Sequence, residues 1–122
     1  MTIQECYQII GSDFVQIKKR FPTVGMIRRF LAKFLEDGTF SELCSTMEAG
    51  NRKDAFCYAH TLKGVCANLG LGSLQASVSK LTEVLRTETD WIPANAEQLL
   101  EEVKADYALT VRTIRQYLDS VE

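Results

Sequence analysis

The sequence predicts an all-α protein, an antiparallel four-helix bundle with short additional N-terminal helices. Three observations carry this. Apolar residues recur at three- and four-residue steps in nearly every segment, the period of a helix with one buried face. Strand-like alternation is absent, and β-branched residues do not cluster. Glycines, prolines and capping residues punctuate the chain at helix-length intervals, and two prolines and seven glycines in 122 residues leave little room for long loops. The length fits one domain, residues 1–122, large enough to bury a core without staples.

Residues near 3–10 and 13–20 form two short opening helices divided by Gly11-Ser12. Pro22 starts a third segment, in which Ile27, Phe30, Leu31, Phe34 and Leu35 follow the i, i+3, i+4, i+7, i+8 rule. Gly38 ends it, and Thr39 with Glu42 reads as a capping box for a helix using Phe40, Leu43, Cys44 and Met47, stopped by Gly50. Asn51 is a good N-cap for the central helix, with Asp54 in its first turn. Ala55, Ala59, Leu62, Cys66 and Leu69 then form a buried seam, closed by Gly70 or Gly72. Ser73 is a candidate cap for the next helix, whose seam is Leu71, Leu74, Val78, Leu81 and Leu85. The stretch from Thr89 to Pro93 is a turn, with Pro93 near the first position of the last helix and Trp91 covering the bundle end. Ala96, Leu100, Val103, Tyr107, Val111, Ile114, Leu118 and Val121 continue the seam for about seven turns, roughly 40 Å at 1.5 Å per residue.

Composition narrows the function classes. A net charge of −2 gives no electrostatic case for nucleic acid. No apolar run is long enough to span a bilayer, and the N-terminus lacks the charged and apolar regions of a signal peptide, so no membrane role and a cytoplasmic location are expected. Cys6, Cys44, Cys57 and Cys66 make no C-x-x-C pair. Cys57 and the sole histidine lie one turn apart, but a structural zinc site needs four ligands, so the thiols read as reduced, mostly packed side chains and no metal is expected. No P-loop and no kinase-type Gly-rich loop is present, which points away from a nucleotide-using enzyme. A helical bundle implies no function by itself.

The site lies on the central helix, in Tyr58-Ala59-His60-Thr61-Leu62-Lys63-Gly64. At about 100° per residue, with His60 at zero, Lys63 falls near −60°, Gly64 near +40° and Ala67 near −20°, while the apolar seam centres near 220°. His60 is therefore expected on the outward side of the bundle. A surface histidine without a role is the plain alternative, and the neighbours weigh against it. Glycine in mid-helix costs about 0.5–1 kcal/mol relative to alanine. Helical side chains lean toward the N-terminus, so a side chain at position 64 would lie over His60; Gly64 leaves the imidazole open. Lys63 brings a charge that offsets that of a phosphoryl group.

The segment Ala59-His60-Thr61-Leu62-Lys63-Gly64, followed by Ala67-Asn68-Leu69-Gly70 and Leu74, resembles the signature of histidine-containing phosphotransfer (HPt) domains of two-component phosphorelays. The resemblance covers most of the chain. It implies a phosphoryl carrier without its own nucleotide site, not a kinase. His60 Nε2 would accept a phosphoryl group from a receiver-domain aspartyl phosphate and pass it to another receiver. Implied partners are response-regulator receiver domains and a sensor histidine kinase or hybrid kinase. Mg²⁺ would belong to the receiver and no cofactor to this chain. The family often carries Glu or Gln on the facing helix, about six turns after the His, bonded to the other ring nitrogen. Thr82 stands in that place, with Ser79 one turn before it, and Asn68 belongs to the same supporting set.

Phe56, Cys57, Ala67, Asn68 and Leu71 are candidates for an apolar docking rim, the alternative being that Phe56 and Leu71 turn into the core. Lys18-Lys19-Arg20 and Arg28-Arg29 read as solvated helix faces, or as a basic frame for the receiver's acidic pocket. Two other functions fit the same residues: the phosphoacceptor domain of a chemotaxis-type histidine kinase, or a non-phosphorylated adaptor that docks on receivers. The initial Met and the lack of a linker lean toward a stand-alone protein.

Overall fold

The periodic segments become seven α-helices in a computed structural model that describes residues 1–120, and no strand occurs among those residues. In chain order they are α1 (Ile3–Ile10), α2 (Phe14–Arg20), α3 (Val24–Glu36), α4 (Thr39–Glu48), α5 (Arg52–Leu69), α6 (Gly72–Leu85) and α7 (Ala96–Asp119). Several boundaries are set by local chemistry. Thr2 and Glu5 form a capping box on α1, Asp13 caps α2, Thr23 caps α3, and the Asn51 side chain accepts the Asp54 N–H at the start of α5. Gly70 closes α5 at φ +70°, a left-handed position that glycine adopts without strain.

Two expected caps and one expected first helical position fall elsewhere. Thr39 is the first residue of α4 rather than its cap; Gly38 precedes it without a side-chain bond, and the Asp37 carboxylate accepts the Thr39 N–H at 2.8 Å. Ser73 lies inside α6, whose N-cap is Leu71; the Gly72 N–H is satisfied by Ser12 Oγ at 2.9 Å, so a distant residue does the capping. Pro93 stands before α7, and its carbonyl accepts the Ala96 N–H at 3.0 Å.

α5 lies at the centre, packed against α4, α6 and α3, while α6 packs on α7 and α1 lies against α7, α2 and α6. The α5 seam is buried throughout, as is that of α6. Leu31, Leu43, Leu62, Leu74, Leu81 and Ile114 are among the side chains that fill the core. In α7 the expected seam holds for Ala96, Leu100, Val103 and Ile114, but Tyr107, Val111 and Leu118 are only half-buried and Thr110, Thr113 and Tyr117 take the inner positions. The inner face keeps one seven-residue register through Ala96, Val103, Thr110 and Tyr117, whereas the expected seam takes two successive four-residue steps from Val103 to Val111 and so turns about 80° off that face at 100° per residue. The two threonines are tolerated because their hydroxyls donate at 2.7 Å to Asp106 and Leu109 carbonyls on their own helix. Val121, the last expected seam residue, lies outside the described residues. Trp91 does not cover the core; it is 67% exposed.

The two short N-terminal helices are tied to the C-terminal end of α5. The buried Tyr7 hydroxyl donates to the Leu69 carbonyl at 2.9 Å. Ser12 Oγ donates to the Gly70 carbonyl while accepting from Gly72 N–H. Arg20 Nη1 donates to the Ala67 and Asn68 carbonyls at 2.6 and 2.7 Å. The last carbonyls of a helix lack partners within it, and here side chains of the N-terminal segment supply them.

Candidate functional site

His60 stands in the ninth position of α5, exposed, on the side of the helix opposite the buried seam. Its ring lies nearly parallel to that of Phe56 one turn earlier, centroids 6.0 Å apart and planes 20° from one another. Phe56 is half-buried, packed on the core, and carries the Arg86 guanidinium 5.0 Å from its centroid. Arg86 also makes an exposed pair with Glu83 at 3.4 Å. Lys63 is half-exposed one turn beyond His60 and makes no ion pair among the described residues.

Gly64 is exposed in the middle of α5, and a Cβ added there would meet nothing within 4 Å. No close approach of another element requires glycine at this position, unlike Gly72, where a Cβ would run into the Gly11 carbonyl. The absent side chain therefore clears outer space next to the imidazole. Beside that opening lies a mostly apolar groove of about 420 Å³ between α5 and the α2–α3 region. Phe21, Phe30 and Val65 form its walls, with Arg20 and Lys33 as its cations. Phe21 and Phe30 pack ring to ring at 5.2 Å. This groove was not legible beforehand, because it forms between helices far apart in the chain; the only sequence signal was the basic run ending in Arg20.

The expected docking rim is partly dismantled. Leu71 is completely buried, since as N-cap of α6 it continues that helix's inner seam. Cys57 is exposed, Ala67 is half-buried and Asn68 is exposed, so these three remain on the outer surface with His60. The expected ring partners on α6 are also differently engaged. Thr82 is fully buried and its hydroxyl donates to the Val78 carbonyl at 2.7 Å; Ser79 Oγ donates to Gln75 at 2.7 Å. A threonine side chain is too short to leave the core and reach an outward imidazole, so its proton returns to its own helix. Phe56 is the side chain found against the ring instead.

Burial raises the thiol of Cys66 to about 12 and that of Cys6 to about 11, which keeps both protonated and unreactive near neutrality. Among the described residues, no three His, Cys, Asp or Glu side chains gather as a metal site, and no helix is long and apolar enough to cross a membrane.

Fold and site together define an all-helical module that presents one histidine, with an adjacent lysine and an adjacent glycine, on the outer face of its central helix. The family model for the Hpt domain matches residues 26–121, well over half of the chain, and the protein belongs to that family. The match begins at the start of α3, so α1 and α2 lie outside it. Comparison with curated proteins and with solved structures gave no significant match.

Proposed function

We propose that the protein is a phosphohistidine carrier in a two-component phosphorelay, with His60 as the phosphoacceptor. The observation that carries this is the exposed imidazole beside a mid-helix glycine that no packing requires. In the step proposed, His60 Nε2 attacks the phosphorus of a receiver's aspartyl phosphate. The P–N bond forms as the bond to the aspartyl oxygen breaks, and the carboxylate leaves. Transfer to a second receiver reverses these bond changes. Such chemistry rests on positioning and charge stabilisation rather than on covalent help from the protein. Lys63 supplies a cation toward the phosphoryl oxygens, and Mg²⁺ and the acidic pocket come from the receiver. The chain needs no cofactor for this role.

The receiver is proposed to dock over Gly64, Cys57, Ala67 and Asn68 and into the groove walled by Phe21 and Phe30, with Arg20 and Lys33 facing its acidic surface. The scaffold is read as an antiparallel four-helix bundle within a single domain, supported by the successive pairings of α4 with α5, α5 with α6 and α6 with α7. A cytoplasmic location follows from this role, because receivers and kinase output domains act there.

The test is transfer from radiolabelled phosphorylated receiver domains to this protein and to a His60→Gln variant. Acid-labile, alkali-stable label that depends on His60 supports the carrier. Label only from a kinase ATP-binding domain identifies instead the phosphoacceptor domain of a chemotaxis-type kinase. Receiver binding with no label from either donor leaves a docking adaptor.

A further inference from the structure

α4 and α7 meet through Phe40 and Tyr107, stacked with centroids 3.8 Å apart and planes 11° from parallel. They are not among the closely packed helix pairs, and toward the C-terminal end of α4 a groove of about 940 Å³ opens between them. Met47, Ile92, Pro93 and Leu100 give it apolar walls. At its mouth stands Trp91, 67% exposed.

The loop carrying Trp91 is tied down. Arg52, the first residue of α5, donates to the Leu85 carbonyl at 2.8 Å and to that of Thr89. Thr89 Oγ1 lies 2.8 Å from Thr87 Oγ1 and donates at 3.1 Å to the carbonyl of Trp91 itself. The indole is thus presented to solvent by a bonded loop. Large aromatic side chains held this way are the usual anchors of protein interfaces.

Charge selects the occupant. Glu48, Glu97 and Glu101 line the groove against one cation, Lys104, which is already 3.3 Å from Glu101. Exposed Asp90 adjoins the tryptophan. Glu97 also complements the N-terminus of α7 and Glu101 pairs with Lys104 on the same helix, but Glu48, in the last turn of α4, serves no such helical role. The basic residues Lys18, Lys19 and Arg20 sit elsewhere, with Arg20 bonded near the C-terminal end of α5, a helix of 18 residues and so about 27 Å long at 1.5 Å per residue.

We propose that this groove docks a basic amphipathic segment of a partner protein, its apolar face against Met47, Leu100 and Trp91 and its lysines or arginines against the acidic rim. The surface is separate from the phosphoacceptor face, and the proposal does not depend on phosphotransfer. Trp91 is the sole tryptophan and reports its own burial.

The test titrates the full chain with an amphipathic leucine–lysine helical peptide, its leucine–glutamate counterpart and an oligolysine of equal charge. The expected result is a saturable one-to-one blue shift of Trp91 emission with the leucine–lysine peptide alone. The paired substitution Glu97→Lys and Glu101→Lys should weaken binding at least tenfold, as should Trp91→Ala measured by calorimetry. The control pair Glu36→Lys and Asp119→Lys, at exposed helix ends outside the groove, should leave it unchanged. Circular dichroism checks that each variant is folded. Equal binding of oligolysine, retained affinity after charge reversal in the groove, or no saturable signal would overturn the proposal. So would a concentration-dependent blue shift without peptide, which would show a second copy of the chain covering the surface.

Discussion

At the scale of the residue, Gly64 separates the needs of the fold from those of the site. An alanine there meets nothing, so Gly64→Ala should stabilise the protein by about 0.5–1 kcal/mol, read by urea denaturation. Gly64→Leu should also leave a folded protein but cut transfer from a phosphorylated receiver at least tenfold, because the longer side chain leans back over His60. Unchanged transfer in the leucine variant would remove the steric role. Lys63→Ala should slow transfer several-fold without abolishing it, since a charge beside the phosphoryl group assists but does not carry the reaction. At this scale the sequence was informative: the outward position of His60 follows from its angle to the seam. It misled at Leu71 and Thr82, where neighbouring helices bury side chains that spacing alone left free to turn outward.

At the scale of the element, α5 depends on residues far from it in sequence. Its last carbonyls are taken by Tyr7, Ser12 and Arg20, none of which any local rule connects to residues 67–70. Tyr7→Phe removes one buried donor and strands the Leu69 carbonyl, which should cost about 1–3 kcal/mol by denaturant titration. Gly72→Ala makes a sharp contrast with the same change at position 64. Its methyl group would press on the Gly11 carbonyl, which is backbone and cannot rotate away, so about 1–3 kcal/mol of destabilisation is expected. Two helical glycines should thus respond to one substitution with opposite signs.

At the scale of the whole molecule, burial of the two core thiols links stability to pH. Below about pH 8 both the folded and unfolded chains keep nearly all of these protons, and the thiols add little pH dependence. As pH rises further, the unfolded thiols ionise while burial holds those of Cys6 and Cys66 until about 11 and about 12. The unfolded state is then favoured, and stability falls as pH rises. Urea midpoints measured under reducing conditions from pH 7 to 10.5 should begin to decline near pH 8 and fall more steeply above pH 9. The decline should be shallower in a Cys6→Ala, Cys66→Ala variant, whatever that variant's absolute stability; equal slopes would contradict the linkage.

The helices and their order were legible because each segment's apolar period, glycines and side-chain caps are local quantities, and so was the histidine face, which is the complement of a buried seam on one helix. The family followed from the short run around His60. Tertiary structure alone decided which surfaces flank that face. The Phe21–Phe30 groove, the Arg20 clamp and the acidic cleft under Trp91 each join residues distant in the chain, and their existence depends on how helices pack rather than on how any one of them forms. The seam of α7 shows the same division: periodicity set its helix, but packing against the neighbouring helices chose Thr110, Thr113 and Tyr117 for the inside.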